Sequence, residues 1–227
     1  MTAARWALAA ALLLASLPRT ATAQVVNPGA KPLDAPNLVA LGAGIDSGAA
    51  LEAAYARRVP GHAARPDLFV LGRLLLPSSP GLGDFAFATG AQTAWLSSRG
   101  FGLQPGLALE IRRVEATLLR MTQLAAVASL TAGYFSERWM VALEASWDRS
   151  FATHVAPTAT YRRLAYPGAE GGFLGGGGGT LRFGVRAALG VTSTTDVTVR
   201  VGFATSDQLT PVAGLPLYGL LGVTQRF

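Results

Sequence analysis

The sequence predicts an all-β chain folded as an antiparallel, up-and-down transmembrane β-barrel of about ten strands. Three observations carry that prediction. Segments of period-two alternation recur along the chain, with one apolar and one small or polar parity. They reach roughly 9 to 13 residues, where strands of soluble proteins are usually nearer five or six. Half of the 227 residues are hydrophobic, yet beyond residue 23 no segment offers an unbroken apolar run of the 18 or so residues that a spanning helix needs.

At the start of the chain, Arg5 precedes the apolar run 6–17, which ends at Pro18 and Arg19 ahead of the small-residue site Ala21-Thr22-Ala23. A run that short suits a cleaved secretory signal rather than a span of about 20 residues. The expected organisation is a signal peptide over 1–23, a periplasmic segment over 24–36 and an outer-membrane barrel over 37–227. The chain has no cysteine, so disulfides, a lipid-modified N-terminal cysteine and thiolate chemistry play no part. The remaining 204 residues (227 less 23) suit one barrel with modest loops.

The expected strands are 38–46, 49–59, 67–77, 83–95, 100–113, 118–134, 138–150, 180–192, 195–206 and 215–227. The first five place Glu52, Arg58, Arg73, Asp84, Gln92, Glu110 and Arg112 on the face opposite the apolar parity. The sixth is the nearest approach to a helical span, but Arg120, Thr122 and Gln123 interrupt it, and Gly133 with its β-branched residues disfavours a helix. The seventh sets Trp139, Val141, Leu143, Ala145 and Trp147 against Met140, Ala142, Glu144, Ser146 and Asp148. Its two tryptophans are separated by about 20 Å along the normal, given about 3.3 Å per residue and a tilt near 40°. A long connection over 151–179 follows, with Pro157, Tyr161, Tyr166, Pro167 and five consecutive glycines from Gly175 to Gly179. That glycine run lacks the Lys and Ser or Thr of a phosphate loop and precedes a strand instead of a helix, so it reads as a flexible segment. The eighth strand alternates Leu181, Phe183, Val185, Ala187, Leu189 and Val191 with Arg182, Gly184, Arg186, Ala188 and Gly190. A short turn joins it to the ninth, where Val197, Val199, Val201 and Phe203 face away from Thr198, Arg200, Gly202 and Ala204.

The last strand alternates Phe227, Gln225, Val223, Leu221, Gly219 and Leu217 with Arg226, Thr224, Gly222, Leu220 and Tyr218. It resembles the C-terminal strand of bacterial outer-membrane β-barrel proteins, in which a terminal Phe on the lipid-facing parity is the usual assembly signature. Gln225 departs from that pattern, which normally has an apolar residue or Tyr there. The resemblance implies residence in the outer membrane and insertion by the barrel-assembly machinery. An even strand number puts both ends of the barrel chain in the periplasm, with short turns around Ser97, Ser136 and Ser193 on that side and the long connection outside. A strand hidden between Val155 and Ala165 would need a second miscount to keep that parity, giving eight or twelve strands.

In this arrangement Glu52, Arg58, Arg73, Asp84, Gln92, Glu110, Arg112, Glu144, Asp148, Arg182, Arg186 and Arg200 line the lumen. In a narrow barrel such charges pair with one another, because burying them singly is costly. The alternative is an electropositive path for anions, since six of these are arginines and five are acids. Tyr134, Trp139, Trp147, Tyr218 and Phe227 fall near strand ends and suit aromatic girdles. The two histidines are His62, in the turn 59–67, and His154, which with Asp148 and Ser150 offers the residue types of a nucleophile, base and orienter. Motifs of outer-membrane proteases and phospholipases are not visible, two histidines without cysteine make a poor metal set, and no cofactor is indicated. Without Arg5 and Arg19, 17 basic and 13 acidic residues leave +4. The pairs Arg57-Arg58, Arg112-Arg113 and Arg162-Arg163 suit lipid headgroups or lipopolysaccharide phosphate at the rims better than nucleic acid. The leading expectation is a non-enzymatic outer-membrane barrel with a mostly filled polar lumen and a structural or surface-interaction role. A narrow passive channel and a membrane-embedded hydrolase or acyltransferase are the alternatives. Solute, ligand and oligomeric state do not follow from strand patterns.

Overall fold

Alternation at period two gives every strand of this chain two chemically distinct faces, and a sheet so built must hide one of them. In the computed structural model, which describes residues 36–46, 49–60, 67–77, 84–96, 100–176, 178–206 and 216–227, the sheet does so by closing on itself. The expected signal peptide 1–23, nearly all of the expected periplasmic segment 24–36, His62 and the turn at Ser97 lie outside the described residues. The strands are β1 (Asn37–Asp46), β2 (Ala49–Val59), β3 (Asp67–Pro77), β4 (Phe85–Leu96), β5 (Phe101–Glu115), β6 (Leu119–Phe135), β7 (Trp139–Pro157), β8 (Gly172–Gly175), β9 (Gly179–Gly190), β10 (Thr195–Ser206) and β11 (Leu217–Arg226). A short helix, α1 (Ala159–Leu164), precedes β8. No helix among the described residues is long and apolar enough to cross a membrane.

Each ring strand is antiparallel to its neighbours, and β11 returns to pair with β1 from Leu38↔Arg226 to Asp46↔Tyr218. Reciprocal hydrogen bonds of 3.1 Å between the backbones of Asn37 and Phe227 extend that seam by one further pair. The closed ring holds β1 to β7 and β9 to β11, ten strands as the alternation predicts; β8 hangs on the outer part of β7 and is not part of it. Closure leaves no sheet edge in the ring, the condition under which strands can cross hydrocarbon. Followed once around, the registers return to β1 displaced by about 12 residues, which for ten strands means a tilt of roughly 40° and a backbone radius of roughly 10 Å. A ring that narrow is filled by its own side chains.

We call the end at which β1 begins and β11 finishes the proximal rim, and the other the distal rim. The described proximal turns, between Phe135 and Trp139 and between Gly190 and Thr195, are short. At Ser136 the N–H donates to the Trp139 carbonyl (2.8 Å), and Gly100 takes a φ of +85°, a conformation glycine adopts at little cost, while its carbonyl accepts from Phe135.

The distal side departs from the expected connection over 151–179. Residues 151–157 stay in β7, because β6 extends beside them to Leu119 and offers a full ladder of partners. A β-bulge makes this possible. Leu124 pairs with Ala152 while Ala125 pairs with Ser150, leaving Phe151 as the extra residue. The inward parity therefore passes from Ser150 to Thr153, both buried. Beyond β7 come α1, capped by the Thr158 side chain, and β8, so the connection carries its own structure. β5, β6 and β7 are the longest strands and project past their neighbours on this side.

The outward parity is apolar nearly throughout. Leu41, Leu51, Val70, Phe87, Leu107, Leu130, Leu143, Val185, Val199 and Leu221, one from each ring strand, are all exposed. The inward parity is small or polar, with apolar clusters near the proximal rim (Leu38, Ala54, Ala56, Phe69 and Leu71; Phe135, Met140, Ala142 and Ala188) and one nearer the distal rim (Ala50, Leu75 and Ala86).

Candidate functional site in the barrel interior

The interior holds charges in three tiers. Nearest the proximal rim, Arg58 Nη2 lies 2.8 Å from Asp67, and Arg226 pairs with Asp196. The distal tier joins Arg112 to Glu110 (Nε to Oε1, 2.9 Å) and Asp148 (3.8 Å), and Arg182 to Asp46 (3.1 Å). Between them stands Glu144, which accepts from Arg186 Nε (3.2 Å), Arg200 Nε (3.2 Å) and Tyr218 Oη (2.8 Å). Arg200 also reaches Glu52 (3.6 Å), which in turn faces Arg73 (3.5 Å); nearer the proximal rim, Gln92 donates to Gln104 (2.9 Å).

Register explains why Glu144 is the hub. Glu144 on β7 pairs with Gly184 on β9, Gly184 with Gly202 on β10, and Gly202 with Tyr218 on β11. The two glycines leave bare backbone on the inner wall, and the Tyr218 ring lies across both to put its hydroxyl on a carboxylate three strands away. The Arg182 guanidinium covers the ring at 5.4 Å. A Cβ at Gly202 would fall inside the contact radius of the ring. Gly202→Val is accordingly expected to displace Tyr218 and cost about 1–3 kcal/mol, a lowered urea midpoint. Gly72→Ala is the control, since a Cβ there meets nothing within 4 Å.

The residues expected in the lumen are placed as follows. Glu52, Arg58, Arg73, Gln92, Glu110, Arg112, Glu144, Asp148, Arg182, Arg186 and Arg200 occupy the inward parity. Asp84 does not belong with them: it lies just before β4 at the distal rim, where its carboxylate accepts the Glu115 backbone N–H at 2.5 Å. Tyr218, expected in a girdle, is a correction too. Being one residue out of phase with Phe227, it faces inward and is 6% exposed. Sequence reasoning missed Asp46, Asp67, Asp196 and Arg226, which sit at strand ends; their parity relative to Leu38, Phe69, Thr198 and Thr224, each on the same strand, was the available signal. With them the expected surplus of arginine disappears. Among the described residues the interior holds seven arginines (58, 73, 112, 182, 186, 200 and 226) and seven carboxylates (46, 52, 67, 110, 144, 148 and 196), every one in an ion pair.

Outside, Phe101, Tyr134 and Trp139 form a contiguous proximal aromatic group, with ring centroids 5.5 and 5.2 Å apart. Phe227 is exposed at the same rim, and Trp147 is exposed toward the distal one. Alternation splits the basic pairs: Arg58 and Arg112 turn inward, while Arg57 and Arg113 turn outward. The constellation of His154, Asp148 and Ser150 does not assemble. Asp148 and Ser150 face the interior below the bulge, whereas His154 takes the parity opposite the buried Thr153 and stacks on Phe173 of β8 at 4.8 Å. No group of three His, Asp or Glu that could hold a metal occurs among the described residues. At the distal rim, a hydrogen bond from Arg120 holds the Glu115 carboxyl below its ordinary range.

Apolar residues outside and paired charges inside invert the arrangement of a water-soluble fold, and the ring that separates them is closed. The fold is that of an outer-membrane β-barrel. No family model and no curated protein matches the sequence. Among solved structures, the β domain of the Bordetella autotransporter Brka is similar over 85% of this chain and 99% of its own, at 12% identity and a TM-score of 0.35. A bacterial polysaccharide outer membrane secretin is similar over 84% of this chain and 97% of its own, at 10% identity and a TM-score of 0.30.

Proposed function

We propose that this chain is a non-enzymatic barrel of the bacterial outer membrane, sealed by its own side chains, with a structural or surface-contact role carried by the wall that projects from the distal rim. The observation behind this reading is the balance of the interior. Seven arginines face seven carboxylates, all are paired, and they stand at three heights inside a ring of roughly 10 Å radius. A path for anions would call for uncompensated cations along its length. The proximal rim then faces the periplasm, with its short turns, and β5 to β7, α1 and β8 stand at the cell surface. A hydrolase or acyltransferase reading loses its support with the separation of His154 from Ser150.

The test is conductance in a planar bilayer. Purified protein is expected to insert without unitary current steps; regular steps at moderate voltage would replace this reading with a narrow passive channel.

A further inference from the structure

The outer wall is uncharged over most of its surface, and its charges are not spread evenly. Among the described strand residues of outward parity, Arg57 lies toward the proximal rim. The others, Arg113, Glu115, Arg120 and Arg149, all lie on β5 to β7 beyond Trp147. Elsewhere the distal part of the wall presents Ile45, Leu76, Phe203 and Leu217, all exposed and apolar.

Along β7 the outward positions run Leu143, Ala145, Trp147, Arg149 and then the bulged Phe151. Hydrocarbon-facing residues thus pass through an interface aromatic directly to a cation, the height at which headgroup phosphates stand. Arg149 lies over the Trp147 ring at 6.0 Å, a contact that uses none of its N–H donors. Arg113 and Arg120 share the single carboxylate of Glu115 (3.2 and 2.9 Å), so three cations face one anion on this strip. Guanidinium groups grip phosphate through paired donors, which an ammonium does not.

Resting on the outer-membrane location argued above, we propose that the distal outward face of β5 to β7 is a seat for the phosphorylated glycolipid of the outer leaflet, lipopolysaccharide, with Arg149 and the Arg113–Arg120 pair each taking a phosphate. Spacing favours that lipid over a phospholipid. Arg113 registers with Thr122 and Arg149 with Ala126, on the two strands that flank β6. Their Cα atoms therefore stand roughly 15 Å apart. A headgroup with one phosphate reaches one of these sites, whereas a wide, many-chained glycolipid phosphorylated at both ends reaches both.

The experiment is native mass spectrometry of the full-length, detergent-solubilised barrel titrated with lipid A or with phosphatidylglycerol. It compares the wild type with the triple variant Arg113→Gln, Arg120→Gln, Arg149→Gln and with Arg57→Gln. Lipid A is expected to bind the wild type and Arg57→Gln alike, in preference to phosphatidylglycerol, and to lose about fivefold or more of its affinity in the triple variant. Unchanged lipid A binding by the triple variant would overturn the proposal, and so would equal binding of the two lipids to the wild type. If the triple variant fails to fold, Arg149→Gln alone decides by the same comparison. The gel-mobility shift of each unboiled sample reads barrel integrity separately, so loss of the seat and failure of the barrel reading are distinguishable.

Discussion

Glu144→Leu is expected to destabilise the barrel by about 3–5 kcal/mol, because it strands two buried guanidinium groups rather than removing one contact. Arg186 and Arg200 both donate to this carboxylate, as does the Tyr218 hydroxyl, and Glu144 itself is 5% exposed. The measurement is the urea midpoint of the refolded protein, followed by the proportion of the fast-migrating folded band. Most of the loss should be recovered when the partners are made apolar as well. The triple replacement Glu144→Leu, Arg186→Leu, Arg200→Met removes the unpaired charges, and complete exchange of a buried ion network for well-packed apolar residues is often neutral. A triple variant as unstable as the single one would mean that the hub acts through shape and not through charge.

The neighbouring residue is expected to behave oppositely to what its exposure implies. Leu143 is 68% exposed and lies midway between Trp139 and Trp147, so in a soluble protein Leu143→Arg would change stability by no more than about 0.5 kcal/mol. On the lipid face near the midplane the same change is expected to cost about 2–4 kcal/mol. Leu217→Arg, at the distal end of β11, should cost much less, about 0–1 kcal/mol, because the guanidinium reaches the headgroups. Equal, negligible effects at both positions in lipid vesicles would show that this face does not contact hydrocarbon.

The ring strands were legible because a period of two survives without knowledge of partners. Runs such as 181–191 and 139–147 state both their length and which residues share the apolar face. What could not be read lies where one strand depends on another. β7 continues to Pro157 because β6 runs beside it, and the bulge at Phe151 interrupts the parity that alternation relies on. The contact of Tyr218 with Glu144 spans 74 positions of chain and appears only when the registers across β9 and β10 align Gly184 with Gly202. Asp46, Asp67, Asp196 and Arg226 sit at strand ends, and without them the interior looks electropositive.

The measurement closest to the central claim, a closed membrane barrel with its charges locked inside, is the electrophoretic mobility of unboiled against boiled protein from an outer-membrane fraction. A compact, detergent-resistant band that shifts on boiling is expected. No shift, together with recovery of the protein in the soluble periplasmic fraction, would contradict it.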